Sequence, residues 1–119
     1  MSRGHRKLRV FDLADDLVLE VYRITGNSAE ERYRLQTQLR RAVLWTATNI
    51  VEGCARKTER DFANFVSVAT GSAAESRYLV DVSIRLAFLS ATKHREALER
   101  LDQLVAQLKT LGNSLENQS

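Results

Sequence analysis

Apolar residues recur at spacings of three and four along nearly the whole chain, which is the period of an amphipathic α-helix. The first such segment, at about 10–25, carries Val10, Ala14, Leu17 and Val21 on one face. Three further helices are predicted at about 29–57, 59–90 and 93–115, and the short joins between them favour antiparallel neighbours. The pattern therefore predicts an all-α fold, an up-down-up-down antiparallel four-helix bundle. It forms one domain over residues 10–116, preceded by a basic N-terminal arm at 1–9.

The third helix carries two apolar seams where a surface helix needs one. The second seam lies beside the core seam and consists of Val68, Ser72, Glu75, Leu79, Val82 and Leu86. A helix covered on two sides is either central in a monomeric bundle or in contact with another subunit. We favour the subunit contact and predict a homo-oligomer. The predicted interface residues are Trp45, Val68, Leu79, Val82 and Leu86.

Composition narrows the class of protein. The 119 residues include no proline, which suits long uninterrupted helices, and one cysteine, which excludes an internal disulfide. No apolar run approaches the length of a membrane span, and no signal peptide is visible, so a cytoplasmic protein without a membrane role is expected.

Charge is distributed unevenly. Residues 1–9 carry a net +4, residues 10–25 a net −3 and residues 26–57 a net +3. Basic segments of this kind attract nucleic acid, although they also serve solubility. If RNA or DNA is a partner, the predicted binding residues are Arg6, Lys7, Arg9, Arg40, Arg41, Arg56 and Lys57.

A semi-polar stripe follows the second and third helices beside the core seam. It predicts a polar network between these helices, made of Arg41, Asn49, Glu52, Gly53, Gly71, Ser72 and Glu75. Each helical glycine costs about 1 kcal/mol relative to alanine, which a close approach of two backbones would explain. Carboxylates there would need arginine or hydrogen-bonding partners. We see no catalytic constellation, because no nucleophile, oriented base or set of metal ligands accompanies them. Neither an enzyme nor a cofactor or metal site is predicted.

The same stretch carries an ordered set of short motifs. They read Gln38-Leu39-Arg40-Arg41-Ala42, Asn49-Ile50-Val51-Glu52-Gly53, Arg56-Lys57-Thr58, an aromatic at Phe62 or Phe65, and Gly71-Ser72-Ala73-Ala74-Glu75. In this order they resemble the small bacterial four-helix bundle proteins encoded in intervening sequences of 23S ribosomal RNA genes. The resemblance implies a ring-shaped homopentamer, and a similar fold serves as the accessory variability protein of diversity-generating retroelements. Trp45-Thr46 and Val51 depart from the family pattern.

Two functions are compatible with these features. The first is a non-enzymatic bundle that self-associates and binds RNA or DNA through its basic patches. The alternative is a protein-interaction or assembly module with no nucleic-acid role, favoured by Trp45 on a polar band, since tryptophan is enriched at interface hot spots.

Overall fold

The computed structural model describes residues 4–5, 8–25 and 30–118. Its helices are α1 (Arg9–Ile24), α2 (Glu30–Cys54), α3 (Glu59–Arg85) and α4 (Ala91–Gln118). The all-α prediction is confirmed. A capping-box spacing of Ser28 and Glu31 predicts Ser28 as the N-cap of the second helix, and Ser28 lies outside the described residues.

The four helices pack as neighbours around a square. Helix α2 contacts α1 and α3, and α4 contacts α3 and α1, whereas in the described parts of the two diagonal pairs no two Cα atoms come within 8 Å. This arrangement is consistent with an up-down bundle. The molecule measures 46 × 20 × 19 Å, so its long dimension is close to the roughly 40 Å that a helix of the length of α3 spans.

The core runs along the centre of the bundle and draws on all four helices. Its largest fully buried apolar side chains are Leu17, Val21, Leu39, Ile50, Phe62, Val66, Val80, Leu101, Leu104, Leu108 and Leu115. Polar residues on the core face are satisfied inside their own helices. The hydroxyls of Thr46, Ser76 and Ser83 each donate to the carbonyl oxygen four residues earlier, at 2.7 to 2.9 Å. The core seam therefore accepts small hydroxyl residues without leaving buried donors unpaired.

Helix α3 ends at Arg85, earlier than the predicted boundary near Ser90, because the chain turns there through a Schellman motif. The N–H of Phe88 donates to Ser83 O at 2.8 Å, and the N–H of Ala87 donates to Ile84 O at 2.9 Å. Ala87 has a φ of 60°, the left-handed conformation that glycine usually supplies at this position. Apolar periodicity continues past Arg85 and does not reveal this reversal.

The other helix ends also shift by a few residues. After Cys54 the N–H groups of Ala55 and Arg56 donate to carbonyl oxygens three residues back, so α2 closes in a tight turn instead of reaching residue 57. The spacing of Thr58 and Asp61 predicts Thr58 as the N-cap of α3, and the structure confirms it, since the Thr58 hydroxyl accepts from the N–H of Asp61 at 3.1 Å. Ser90 directly precedes α4, and its hydroxyl accepts from the N–H of Lys93.

Candidate functional site

An open groove runs between α2 and α3 on the outer surface of the bundle. Its lining residues are Arg41, Ala42, Trp45, Ser72 and Glu75, and its volume is about 360 Å³. Because the two helices pack directly against each other, the walls of this α2–α3 groove are rigid. The groove is where the predicted polar stripe of α2 meets the second seam of α3.

Large apolar side chains are exposed on α2 and α3, and one of them, Trp45, lines the groove. Trp45 is 57% exposed on α2, Val68 is exposed on α3, and Leu86 is exposed just beyond the end of α3. Val82, which lies between Val68 and Leu86 in the sequence, is half-buried. Exposed apolar residues that cluster on one face mark interaction surfaces more often than residues scattered singly. We call Trp45, Val68, Val82 and Leu86 the groove face.

Leu79, the fifth residue predicted for an interface, lies elsewhere. It is only 5% exposed and belongs to the hydrophobic core of its own chain. Helix periodicity places Leu79 on the second seam, but the packed bundle buries it. Leu79 therefore has little surface to offer a second subunit, and the other four residues carry the interface prediction.

The polar stripe is arranged differently from a buried carboxylate network. Asn49 is buried and its Nδ2 donates to Trp45 O of the same helix at 2.7 Å. Arg41, Glu52 and Glu75 are exposed, and the side chain of none of the three forms an ion pair or hydrogen bond with another described residue. The charges that the stripe predicted between α2 and α3 thus face solvent, with Arg41 and Glu75 lining the groove.

Ser72 sits at the base of the groove. The residue is 8% exposed, and its carbonyl oxygen accepts from the Ser76 hydroxyl. Its own hydroxyl makes no hydrogen bond to another described residue and lines the groove. A polar atom in this position is available to a group that enters the groove.

The two glycines of the stripe have opposite surroundings. A Cβ added at Gly53 would lie 2.9 Å from Phe62 Cδ1 and 2.9 Å from Phe65 Cβ. Close approach of α2 and α3 therefore requires the glycine at 53. A Cβ at Gly71 would meet nothing within 4 Å, so the close-approach interpretation is wrong for Gly71 within the single chain.

The predicted nucleic-acid-binding cations occupy several places. Arg9, Arg56 and Lys57 are exposed at the end of the bundle where α1 begins and α2 ends, and Arg41 borders the groove. Arg6 and Lys7 lie outside the described residues. Residues 52–61 hold three cations, Arg56, Lys57 and Arg60, and as many acids, Glu52, Glu59 and Asp61. The net charge of this turn is therefore close to zero.

Arg56 contacts an aromatic ring of α3. Its guanidinium carbon lies 4.6 Å from the centroid of the Phe65 ring, a cation–π contact that holds the side chain against α3. One face of the guanidinium is covered by the ring, and the residue as a whole remains exposed.

Arg40 has a structural task that the sequence analysis missed. Its Nη2 donates to the carbonyl oxygens of Tyr22 at 3.0 Å and Thr25 at 2.9 Å, and its Nε donates to Thr25 Oγ1. The guanidinium also lies over the Tyr22 ring, 4.5 Å from its centroid. Arg40 thus caps the negative end of the α1 dipole and satisfies carbonyl oxygens that have no partner within α1. Nothing in the sequence itself distinguishes Arg40 from its neighbour Arg41.

Other side chains tie the helices together away from the groove. Arg100 on α4 donates to Glu20 at 2.8 Å and lies 3.6 Å from Asp16, both on α1. Arg77 on α3 pairs with Asp102 on α4 at 3.0 Å. Asp16 and Glu20 on α1 and Arg77 on α3 are therefore already paired with charged groups of α4 within the chain.

Two further properties concern chemistry and membranes. Within the described ranges, no three His, Cys, Asp or Glu side chains come together in a way that would hold a metal ion. Among the same residues, no helix combines the length and the apolar character needed to cross a membrane.

Comparison with known proteins agrees with the fold and the motif order. A model of the 23S rRNA-intervening sequence protein family matches residues 6–110, which is most of the chain. No curated protein matches. The match spans all of α1 to α3, the α2–α3 groove and most of α4, and it includes every motif from Gln38 to Glu75. This chain belongs to the 23S rRNA-intervening sequence protein family.

Proposed function

We propose that this protein is a non-enzymatic bundle that self-associates through the groove face. The observation that carries the proposal is the exposure of Trp45, 57% of a large apolar side chain, at the wall of an open groove. Tryptophan in such a position is a frequent anchor of protein interfaces. The pentamer that the family resemblance implies is the expected assembly.

Several properties of the groove suit a protein partner. Val68 and Leu86 add exposed apolar surface on α3, and Ser72 adds a hydroxyl available for a hydrogen bond. Arg41 and Glu75 place one charge of each sign at the rim. An apolar centre with a polar rim is the usual anatomy of an interface.

We propose nucleic acid, RNA or DNA, as the partner of the assembled bundle. The exposed cations that we propose for phosphate contacts are Arg9, Arg41, Arg56 and Lys57. Arg40 is not among them, because its donors are used in capping α1. Assembly would bring several copies of each cation together, which strengthens binding even where one turn is nearly neutral.

Self-association is tested by the mass of the protein in solution, measured by light scattering over a range of concentrations. The expected result is a single oligomer whose mass is a multiple of 13.5 kDa. Trp45→Asp should shift the mass toward the monomer with helix content unchanged, whereas Ala106→Asp on the exposed side of α4 should not. A monomeric wild type at all concentrations would remove the proposal.

Nucleic-acid binding is tested with structured RNA and duplex DNA by fluorescence anisotropy at several salt concentrations. Arg56→Glu with Lys57→Glu should weaken binding and reduce its salt dependence. A matched double reversal, Lys93→Glu with Arg95→Glu, changes the same charge at the start of α4, at the other end of the bundle, and should weaken binding less. The absence of measurable binding at low salt would exclude this part of the proposal while leaving self-association intact.

The second candidate function is a module for a different protein partner, without a nucleic-acid role. Trp45 favours it as well, because the family pattern has no tryptophan there. This second function becomes the better account if the wild type is monomeric, binds neither RNA nor DNA, and leaves Trp45 exposed to solvent.

A further inference from the structure

The exposed surface of α1 opposite the core forms a ridge of mixed character. Leu19 is 53% exposed, and Arg23 stands one turn after it on the same face. Arg23 makes no ion pair with another described residue. Neither side chain belongs to the hydrophobic core of the described chain.

This ridge and the α2–α3 groove lie at the same height along the bundle. Arg40 on α2 bonds to Tyr22 and Thr25 at the end of α1, so these positions are level to within the reach of one arginine side chain. Helices α1 and α2 are antiparallel and both rise 1.5 Å per residue. Trp45, five residues beyond Arg40, is therefore level with residues 17–20 of α1, which include Leu19. By the same count Arg23 is level with residues 39–42, the part of α2 that shares the groove with Glu75.

The two surfaces complement each other in shape and charge. A single helix ridge fits the depression between two packed helices. Leu19 offers an apolar side chain to Trp45, and Arg23 offers a cation to Glu75, which makes no ion pair with another described residue. Arg41 borders the groove on the α2 side and repels a second arginine. An arginine that enters the groove is therefore expected to pair with Glu75 on the α3 side.

We infer that the α1 ridge of one copy, Leu19 and Arg23, docks in the α2–α3 groove of the next copy against Trp45 and Glu75. The inference rests on the proposed self-association and adds the second half of its interface. The contact joins two different surfaces of the chain. A contact of this kind closes into a ring when copies are related by rotation alone, which requires the two surfaces to be level, as they are.

Two variants that each destroy one surface test this geometry. Leu19→Asp removes the ridge and Trp45→Asp removes the groove, and both sites are exposed, so both variants should keep the helix content of the wild type. Each alone should be monomeric, with a dissociation constant raised at least about thirtyfold, the loss expected for a hot spot. Mixed in equal amounts they should form a dimer and nothing larger, because one intact ridge meets one intact groove.

Charge reversal provides a second, independent test. Arg23→Glu and Glu75→Arg should each weaken association, and the double variant should recover at least part of it. No Cα atom of α1 lies within 8 Å of a Cα atom of α3 within the described chain, so strong coupling between these two exposed residues in a double-mutant cycle indicates a contact between copies.

The outcomes separate this inference from the function on which it rests. A monomeric wild type refutes self-association and the docking with it. An oligomeric wild type whose Leu19→Asp variant stays oligomeric overturns the docking alone. So does a mixture of the two monomeric variants that forms no dimer, or a charge-reversed double variant whose defects simply add.

Discussion

The two glycines of the stripe should respond to the same substitution with opposite signs. Gly71→Ala places a methyl group in open space in the middle of α3, so the helix-propensity gain of about 1 kcal/mol is expected nearly in full. Gly53→Ala has less to gain because it lies one residue from the end of α2.

The cost at Gly53 follows from the two contacts of the added Cβ. Both distances, to Phe62 Cδ1 and to Phe65 Cβ, are 2.9 Å, against about 3.5 to 4.0 Å for relaxed carbon contacts. Phe62 is buried in the core, and the Cβ of Phe65 is fixed to the α3 backbone, so neither can rotate away. Overpacking of this kind costs about 1–3 kcal/mol. We expect a net loss of about 1–2 kcal/mol for Gly53→Ala, and therefore a difference of roughly 2–3 kcal/mol between the two variants.

The measurement is urea unfolding followed by circular dichroism at 222 nm. Both variants should be compared in a Trp45→Asp background at equal protein concentration, because association would otherwise add to the measured stability. A Gly53→Ala variant as stable as its parent would show that α2 and α3 can separate without cost, and would refute the close-approach explanation. A destabilised Gly71→Ala variant would refute the open surroundings described for that position.

Three further predictions concern single residues outside the groove. Ala87→Gly should stabilise the protein by about 0.5–1 kcal/mol, because Ala87 adopts a left-handed conformation that glycine accepts without steric cost. The control Ala74→Gly, at an exposed position in the middle of α3, should destabilise it by about 1 kcal/mol. Equal effects of the two substitutions in thermal unfolding would contradict the left-handed conformation of Ala87. Arg40→Met should lower the free energy of unfolding by about 1–3 kcal/mol because α1 loses its cap, and Arg40→Lys should recover little of it because lysine lacks the planar fork. The control Arg41→Met should change the free energy of unfolding by no more than about 0.5 kcal/mol. Similar losses at both positions in urea unfolding would refute the capping role. Leu79→Asp should abolish cooperative unfolding because it buries a carboxylate, while Val68→Asp should leave the fold intact, and a folded Leu79→Asp variant by circular dichroism would show that Leu79 is not part of the core.

The candidate site was only partly accessible from the sequence. Helical spacing places Trp45, Ser72 and Glu75 on facing sides of two adjacent helices, and they do line one groove. The same spacing treats Leu79 and Leu86 alike, yet the first is buried and the second is exposed. The difference depends on which side chains the neighbouring elements cover, which no periodicity within one helix records.

Charge presented the same difficulty. Arg40 and Arg41 are adjacent and chemically identical, but only Arg40 points at the end of α1 and caps it. A count of cations cannot separate a structural arginine from one that is available to phosphate, because the distinction is made by a helix fifteen or more residues away in sequence.

The sequence by itself determined the helices, their antiparallel order and the core seams, because these follow from local spacing, turn chemistry and the burial of apolar side chains. The tertiary structure alone decided which polar and apolar residues remain outside. It placed Gly53 in a close contact and Gly71 in the open, ended α3 at Arg85, and set Leu19 level with Trp45 through the bonds of Arg40. These outcomes depend on the relative height and separation of whole helices, which packing fixes and a one-dimensional pattern does not contain.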